Sequence, residues 1–254
     1  MAEHVRRTAV RSASQATPLS VIGELLITLA VILGLFAGWQ LYWTTWLVEA
    51  PKQEAITQFE HEYGVHNTLV GTKHTEDPPQ ISTPANDEVY GLLHVPSWDW
   101  MKMPLGEGTS GAVLDRGYAG HYETTAQVGE VGNFSVAAHR RTYGNNFRQI
   151  DKLTTGDEVV VETKDAYYVY TFQSNEIVTP DANWVVAPVP GDKTFSQVPT
   201  ERIMTLTTCH PEYSNTQRFI VHMRFEYWTP KSEGLPPALA DEPQDNSQSG
   251  QSAS

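Results

Sequence analysis

The sequence predicts a mainly β domain, either an antiparallel barrel or a sandwich, preceded by one N-terminal transmembrane helix. Two patterns predict this: an apolar run near the N-terminus and a series of short β-branched and aromatic runs further along the chain. The 254 residues include one cysteine, which excludes an intrachain disulfide and a cysteine-rich zinc module. We therefore expect the domain to be held by an ordinary hydrophobic core.

The uncharged segment 25–48 contains 24 residues. As a helix it would extend about 36 Å, more than the roughly 30 Å of a bilayer's hydrocarbon core. Its far end carries rings suited to a membrane interface: Trp39, Tyr42, Trp43 and Trp46. Three arginines precede the segment: Arg6, Arg7 and Arg11. Because cytoplasmic flanks are enriched in basic residues, we expect a single-pass protein with residues 1–24 in the cytoplasm and the domain outside the cell.

A cleaved signal peptide and a buried core helix are the competing interpretations of this segment. A signal peptide has an apolar region of only about 7–15 residues. A core helix does not need so long an uncharged run. The length of the segment therefore favours a retained membrane anchor over both.

Charge limits the partners of the chain. The formal net charge is −13, from 17 basic and 30 acidic residues. Residues 1–24 hold three basic and two acidic side chains and residues 25–48 hold none, which leaves a net charge of −14 on residues 49–254. Neutralising phosphates needs a basic surface, so nucleic acid is excluded as the expected partner.

Composition divides the part of the chain after the apolar segment into three regions. Residues 49–86 contain four prolines and few apolar clusters, and are predicted to form an extracellular stalk. Residues 87–228 carry the strand patterns and form the predicted domain, with one short helix expected within Thr142–Leu153. Residues 229–254 are rich in Pro, Ser, Gln and Asp, and are predicted to be disordered.

The single cysteine, Cys209, is the first candidate for chemistry. A free cysteine is most often a small buried hydrophobe. However, Cys209 ends an alternating strand that begins at Arg202 and cannot continue past Pro211. A returning strand at Arg218 can bring a guanidinium beside the thiol, where it would stabilise a thiolate or an oxyanion. A solvated edge position remains the alternative for Arg218.

A thiol nucleophile also needs a proton acceptor. His210 adjoins the cysteine and points to the opposite face of the strand. His139 closes a strand of small residues that begins at Phe134, which is again a strand-end position. Position therefore favours His139 and leaves His121 as the alternative. No spacing typical of a metal site occurs among the histidines, so neither a metal nor a cofactor is expected.

Several segments together resemble the sortase family. Thr205-Leu-Thr-Thr-Cys-His-Pro211, followed by Arg218 nine positions after the cysteine, is similar to the sortase signature. Upstream segments resemble class E sortases of high-GC Gram-positive bacteria: Gly120-His-Tyr122, Gly129-Glu-Val-Gly-Asn-Phe134 and Ala138-His-Arg140. The resemblance covers about residues 87–228, in matching order. Ala138, where a glycine is common, and His210, where the residue type varies, put only fine specificity in question.

The resemblance implies a sortase-like closed β-barrel, antiparallel or mixed, with short helices. It implies His139, Cys209 and Arg218 as catalytic residues and Tyr122 as a substrate-binding residue. Next to Cys209 on the same strand, Thr207 and Thr208 are further candidates for substrate binding. The implied reaction cleaves a Leu-(Ala/Pro)-X-Thr-Gly sorting signal between Thr and Gly. The Thr carboxyl group is then joined to an amine of a peptidoglycan precursor.

The expected partners are surface proteins that carry a C-terminal sorting signal, a lipid II-type amine, and the membrane. A pilin-polymerising sortase is the main alternative. A cell-wall cysteine peptidase is a weaker alternative, since such enzymes place the cysteine before the histidine. A non-enzymatic surface adhesin would leave the pairing of Cys209 and His139 at strand ends unexplained.

Overall fold

A computed structural model of the protein describes residues 17–65 and 69–243. The chain divides into two compact units, Met1–Gln40 and Leu41–Ser254. The first contains helix α1, Pro18–Gly38, which begins with Thr17 as its N-cap and a proline in its first turn. Within the described residues, α1 is the one helix long and apolar enough to cross a membrane, with a mean hydropathy of 2.4.

The apolar segment is divided differently from the prediction of a helix over residues 25–48. Helix α1 ends at Gly38, a π-helical turn spans Trp39–Trp43, and helix α2 spans Thr44–Tyr63. Thr44 and Val48 of α2 are buried within the second unit. Hydropathy could not reveal this division, because an apolar side chain can be buried equally well in lipid or in a protein core.

The predicted stalk is instead packed on the domain. Ile56 and Phe59 of α2 form an apolar cluster with Leu92. The Lys231 ammonium donates a hydrogen bond of 2.8 Å to the carbonyl of Tyr63 at the end of α2. These contacts bury one face of α2, so it does not form a free spacer.

The segment from residue 69 to residue 86 also contacts the domain. Asp77 pairs with Arg202 at 2.6 Å, and the Tyr168 hydroxyl donates to the carbonyl of Pro79 at 2.7 Å. His74 forms an isolated antiparallel bridge with Trp228. Three of the four prolines that suggested a spacer, Pro78, Pro79 and Pro84, therefore belong to an extended segment bound to the surface of the domain, and Pro51 lies within α2.

The domain is a closed, mixed β-barrel, which confirms the predicted fold class and excludes a sandwich. Around the barrel the order is β1-β2-β3-β4-β7-β8-β6-β5, and β5 pairs with β1 to close it. The strands are β1 Val89–Val95, β2 Met101–Glu107, β3 Ala119–His121, β4 Gly132–Ala137, β5 Glu158–Thr163, β6 Ala166–Val178, β7 Arg202–His210 and β8 Gln217–Pro230. A short helix, α3, spans Gly111–Leu114.

Two strand pairs are parallel, β2 with β3 and β4 with β7, and the other pairs are antiparallel. The β4–β7 pair positions the candidate site, because both strands end at the same rim of the barrel. Alternation directs Met204 and Leu206 of β7 into the barrel core, where Phe134 and Val136 of β4 also lie. The intervening side chains of β7 therefore face outward, including Thr207 and Cys209.

The C-terminal region differs from the predicted disorder up to residue 243. Strand β8 continues to Pro230, and Lys231 and Leu239 are both buried. Leu239 joins an apolar cluster with Tyr167 and Tyr227. The prediction for residues 244–254 lies outside the described residues.

The short helix expected within Thr142–Leu153 is replaced by turns and one 3-10 turn, Ile150–Lys152. The backbone explains the difference, because Thr142, Tyr143, Gly144 and Asn145 all have positive φ angles. A right-handed helix requires negative φ at each of these residues.

Candidate active site

Cys209 lies at the rim, as the next-to-last residue of β7. Antiparallel pairing of β7 with β8 places it directly opposite Arg218. The thiol is free and its side chain is half-buried. The eight residues between the two form the end of β7, a turn and the start of β8, so the pairing follows from the strand register.

Arg218 is held by its own loop. Its Nη1 atom donates hydrogen bonds of 2.9 Å to the carbonyls of Asn215 and Gln217. Both bonds use Nη1, whereas the guanidinium has five donor hydrogens in all. The remaining donors are available to an oxyanion or a peptide carbonyl beside Cys209.

His139 reaches the same rim through β4. Ala137 pairs with Thr207, so His139 and Cys209 each lie two residues beyond a paired position on parallel strands. Two further hydrogen bonds extend the contact between the strands: from the Ala138 amide to the Thr207 carbonyl at 3.3 Å, and from the Thr208 hydroxyl to the Ala138 carbonyl at 2.7 Å. The structure thus gathers His139, Cys209 and Arg218 at one end of the barrel.

Two side chains orient the His139 ring. Nε2 lies 2.8 Å from Oδ1 of Asp115, and the ring lies 5.1 Å, centroid to centroid, from that of Tyr143. A carboxylate at this distance accepts a hydrogen bond from Nε2 and fixes the rotation of the ring. Sequence reasoning missed both residues, because Asp115 lies 24 positions before His139 and Tyr143 lies in a turn without a periodic pattern.

His121, the alternative base, is in a different environment. Its side chain is fully buried, Nδ1 lies 2.9 Å from Oε2 of Glu107, and Nε2 lies 3.0 Å from both the Ala126 carbonyl and the Thr125 hydroxyl. Both ring nitrogens therefore have partners inside the protein. A histidine closed off in this way is poorly placed to exchange protons with a substrate.

Tyr122 and Thr207 lie together, whereas Thr208 is separate. The hydroxyls of Tyr122 and Thr207 are 2.9 Å apart, and Thr207 is on the same face of β7 as Cys209. Thr208 points to the opposite face, is buried, and uses its hydroxyl to hold β4 against β7. Its contacts are therefore those of a strand anchor, which differs from the predicted contact with substrate.

His210 is bound to the residue after His139. Nη1 of the buried Arg140 lies 2.9 Å from Nδ1 of His210, and Nη2 of Arg140 pairs with Asp151 at 2.9 Å. A guanidinium can only donate, so Nδ1 of His210 is the acceptor in this contact. His210 thus links β7 to the loop that follows β4. Across the described part of the chain, no group of three or more His, Cys, Asp or Glu side chains could hold a metal ion.

Comparisons with known proteins agree with this architecture. The family model for the sortase domain matches residues 93–226. The chain is 37% identical over 225 residues to sortase SrtE1 of Streptomyces coelicolor, covering 86% of this chain and 60% of SrtE1. The chain therefore spans about three fifths of the length of that relative.

Solved structures give the same result. The SrtA sortase from Actinomyces oris is 46% identical, with a TM-score of 0.64, and the match covers 69% of this chain and 100% of that one. Sortase E1 from Streptomyces coelicolor, solved with a tripeptide in the active site, is 40% identical, with a TM-score of 0.56, over 61% of this chain and 99% of that one. With more than half of its residues matching the sortase domain and with class E proteins among its relatives, the chain belongs to the sortase family, in class E.

Proposed function

We propose that the protein is a membrane-anchored transpeptidase that cleaves a Leu-(Ala/Pro)-X-Thr-Gly sorting signal between Thr and Gly. It then joins the Thr carboxyl group to an amine of a peptidoglycan precursor. Membership in the sortase family implies a cysteine transpeptidase. The observation that carries the proposal for this chain is the Cys209–Arg218 register pair, with His139 at the same rim.

In the first half-reaction, the Cys209 thiolate attacks the carbonyl carbon of the signal's Thr. Arg218 donates hydrogen bonds to the oxyanion that develops. As the carbon–nitrogen bond breaks, the protonated His139 gives its proton to the departing Gly amine. The products are a thioester between the substrate Thr and Cys209, and a free peptide that begins with Gly.

In the second half-reaction, the acceptor amine attacks the thioester carbonyl. His139, now neutral, removes a proton from this amine, and Cys209 leaves as the thiolate. A new amide joins the surface protein to the peptidoglycan precursor, and the enzyme returns to its starting protonation state. Asp115, 2.8 Å from Nε2 of His139, accepts a hydrogen bond from the ring and holds its orientation in both steps.

Tyr122 and Thr207 are the proposed contacts for the signal. Their hydroxyls lie 2.9 Å apart on the face of the sheet that Cys209 shares, so they offer polar groups beside the residues preceding Thr. This arrangement suits discrimination between Ala and Pro at the second position of the signal. The tripeptide in the active site of sortase E1 from Streptomyces coelicolor supports peptide binding at the equivalent place.

Helix α1 is the proposed membrane anchor, since its length and composition are sufficient to cross a bilayer. The arginines that precede it favour a cytoplasmic N-terminus and an extracellular barrel. The proposed substrates, surface proteins and a lipid II-type amine, are on that side of the membrane.

The test uses the full chain in detergent micelles with two quenched peptides, Leu-Ala-Glu-Thr-Gly and Leu-Pro-Glu-Thr-Gly, and a glycine-based amine acceptor. Products are identified by mass, and Cys209→Ala is the control. We expect cleavage between Thr and Gly, capture of the amine, and loss of both in the variant. The ratio of the two peptides gives the preference at the second position.

Three other outcomes would contradict the proposal. Hydrolysis without amine capture would indicate a cell-wall peptidase. Transfer only to a lysine of a pilin-type protein would indicate a pilin-polymerising sortase. No cleavage by a folded protein with a titratable thiol would favour the surface adhesin.

A further inference from the structure

We propose that helix α2 holds the turn that orients His139, and that Lys52 is a positioning residue for the reaction. The inference rests on the proposed role of His139. Lys52 touches neither the substrate nor the reacting atoms. It acts through Asn146 and through the turn formed by residues 142–145, which we call the histidine turn.

The histidine turn has an unfavourable backbone. Its φ angles are 73° at Thr142, 44° at Tyr143, 97° at Gly144 and 53° at Asn145. Non-glycine residues with positive φ cost about 1–3 kcal/mol each and persist only where surrounding contacts hold them. Two hydrogen bonds within the turn offset part of this cost, from the Thr142 amide to Oδ1 of Asn145 at 3.0 Å and from the Asn145 amide to the Thr142 carbonyl at 3.1 Å. Contacts from outside the turn supply further support.

Helix α2 supplies this support through a buried lysine. The side chain of Lys52 is 6% exposed, and its Nζ atom donates a hydrogen bond of 3.2 Å to Oδ1 of Asn146, directly after the histidine turn. Nδ2 of Asn146 donates in turn to the carbonyl of Gly117 at 2.6 Å. A buried ammonium is costly without partners, and Lys52 has two: Oδ1 of Asn146 and, at 3.9 Å, Oε2 of Glu49 on the same helix.

Gly117 marks where three segments meet. A side chain at this position would begin 3.0 Å from the carbonyl oxygen of Tyr143 and 3.1 Å from Cγ2 of Val48 on α2. Its φ of +76° also favours glycine. The helix, the histidine turn and the loop after α3 are therefore in close contact there.

The same segments carry the two side chains that contact the His139 ring. Tyr143 belongs to the histidine turn, and Asp115 comes two residues before Gly117. Through Lys52 and Val48, helix α2 thus supports the two segments whose side chains contact the imidazole. Displacing α2 would move Asp115 and Tyr143 away from the ring without altering Cys209 or Arg218.

The experiment compares Lys52→Met with Lys102→Met in the full chain in detergent. Lys102 is a matched control, because it also joins α2 to the barrel, through Glu60 at 2.6 Å, but further along the helix, near its C-terminal end. Hydrogen exchange is followed by mass spectrometry in peptides covering residues 139–148. Steady-state kinetics with the sorting peptide give kcat and KM, and iodoacetamide gives the reactivity of Cys209.

We expect Lys52→Met to speed exchange in residues 139–148 about tenfold and to lower kcat about tenfold, since small displacements of a catalytic group have large effects on rate. KM and the alkylation rate of Cys209 should remain within about twofold. Lys102→Met should leave both exchange in this segment and kcat unchanged. Asn146→Ala should reproduce the effect of Lys52→Met, and the double variant should add nothing further.

Equal effects of Lys52→Met and Lys102→Met would overturn the inference, because they would reveal only general loosening of α2. No change in exchange would also overturn it. If Lys52→Met does not fold, Asn146→Ala tests the same hydrogen bond from the other side. The exchange comparison holds even if the wild-type chain shows no transpeptidation, so failure of this inference and failure of the proposed function are distinguishable.

Discussion

Two histidine–carboxylate pairs lie on neighbouring parts of the barrel and differ mainly in burial. His121 and Glu107 are 2.9 Å apart, with exposed fractions of 0% and 3%. His139 and Asp115 are 2.8 Å apart, with exposed fractions of 30% and 48%. Each imidazole also has a ring beside it, Phe134 at 4.9 Å for the first and Tyr143 at 5.1 Å for the second.

The contrast shows that the histidine–carboxylate distance alone does not identify a histidine suited to proton transfer. His121 has partners on both nitrogens and no access to solvent. Among the described residues, His139 uses only Nε2, so its other nitrogen is open to a substrate at the rim. The first pair therefore stabilises the fold, and the second has the access that proton transfer needs.

The largest expected effect is that of His139→Gln on activity. Loss of a general acid and base should lower the rate of transpeptidation about 1,000-fold. The free energy of unfolding, measured by thermal denaturation, should change by less than about 1 kcal/mol, because the ion pair is partly exposed. Retention of more than a tenth of the wild-type rate would remove His139 from the proposed mechanism.

His121→Gln should have the opposite profile. Removing one member of a buried pair leaves the carboxylate of Glu107 without its partner, at a cost of about 3 kcal/mol in the free energy of unfolding. The folded fraction of His121→Gln should keep most of the wild-type transpeptidation rate. Chemical denaturation checks this, and the double variant with Glu107→Gln should recover part of the loss. A stable but inactive His121→Gln protein would reverse the roles of the two histidines.

A third pair, His94 with Glu162, is also buried and makes the stability of the fold depend on pH. Burial alone would raise the pKa of Glu162, but the hydrogen bond and charge of His94 and the charge of Lys231 outweigh it and lower the pKa to about 2. A carboxylate whose pKa is lower in the folded chain stabilises the fold above its unfolded pKa and loses this effect as the pH falls.

We therefore expect the free energy of unfolding to fall by on the order of 2 kcal/mol between about pH 5 and about pH 2 because of Glu162. Denaturation of Glu162→Gln over the same range should show a shallower decline. Asp115→Asn, from the exposed pair, should retain the wild-type slope. An unchanged slope in Glu162→Gln would show that other carboxylates control acid unfolding.

The smallest expected effect is that of Asp115→Asn on catalysis. An exposed carboxylate beside an imidazole contributes a charge-assisted hydrogen bond that solvent weakens, so kcat should fall by about threefold to tenfold. The difference from wild type should shrink as salt is added, because salt screens exposed charges. A loss as large as that of His139→Gln would show that Asp115 takes part in the chemistry itself.

The sequence predicted the parts of this molecule that depend on local pattern. Alternation along β7 and the proline after it placed Cys209 at a rim, and the small-residue strand before His139 did the same for the histidine. The pairing of β1 with β5, which closes the barrel, depends on contacts distant in sequence. Alternation and turn residues alone therefore could not separate a barrel from a sandwich.

Other features were missed because their physical cause is not periodic. Lys52 is a charged residue that is buried, so composition assigned its helix to a solvent-exposed stalk. Asp115 and Tyr143 reach His139 from loops, where no repeat distance predicts a contact. A short helix was expected within Thr142–Leu153, but residues 142–145 have positive φ angles, which a right-handed helix does not allow. Three of these four residues are not glycine, so their identity did not predict this backbone.

The pairing of β7 on both sides has a consequence for how a peptide can be recognised. Over residues 203–207, β7 is paired with β4 on one side and with β8 on the other, so this stretch is not an edge to which an extended peptide could add as a further strand. For the proposed sorting signal, we therefore expect the peptide backbone near Cys209 to be recognised by side chains on the outer face of the sheet and by the connecting loops. Under the proposed function, changes in those loops can alter which peptide is bound while β7, β8 and the end of β4, which position Cys209, Arg218 and His139, stay as they are.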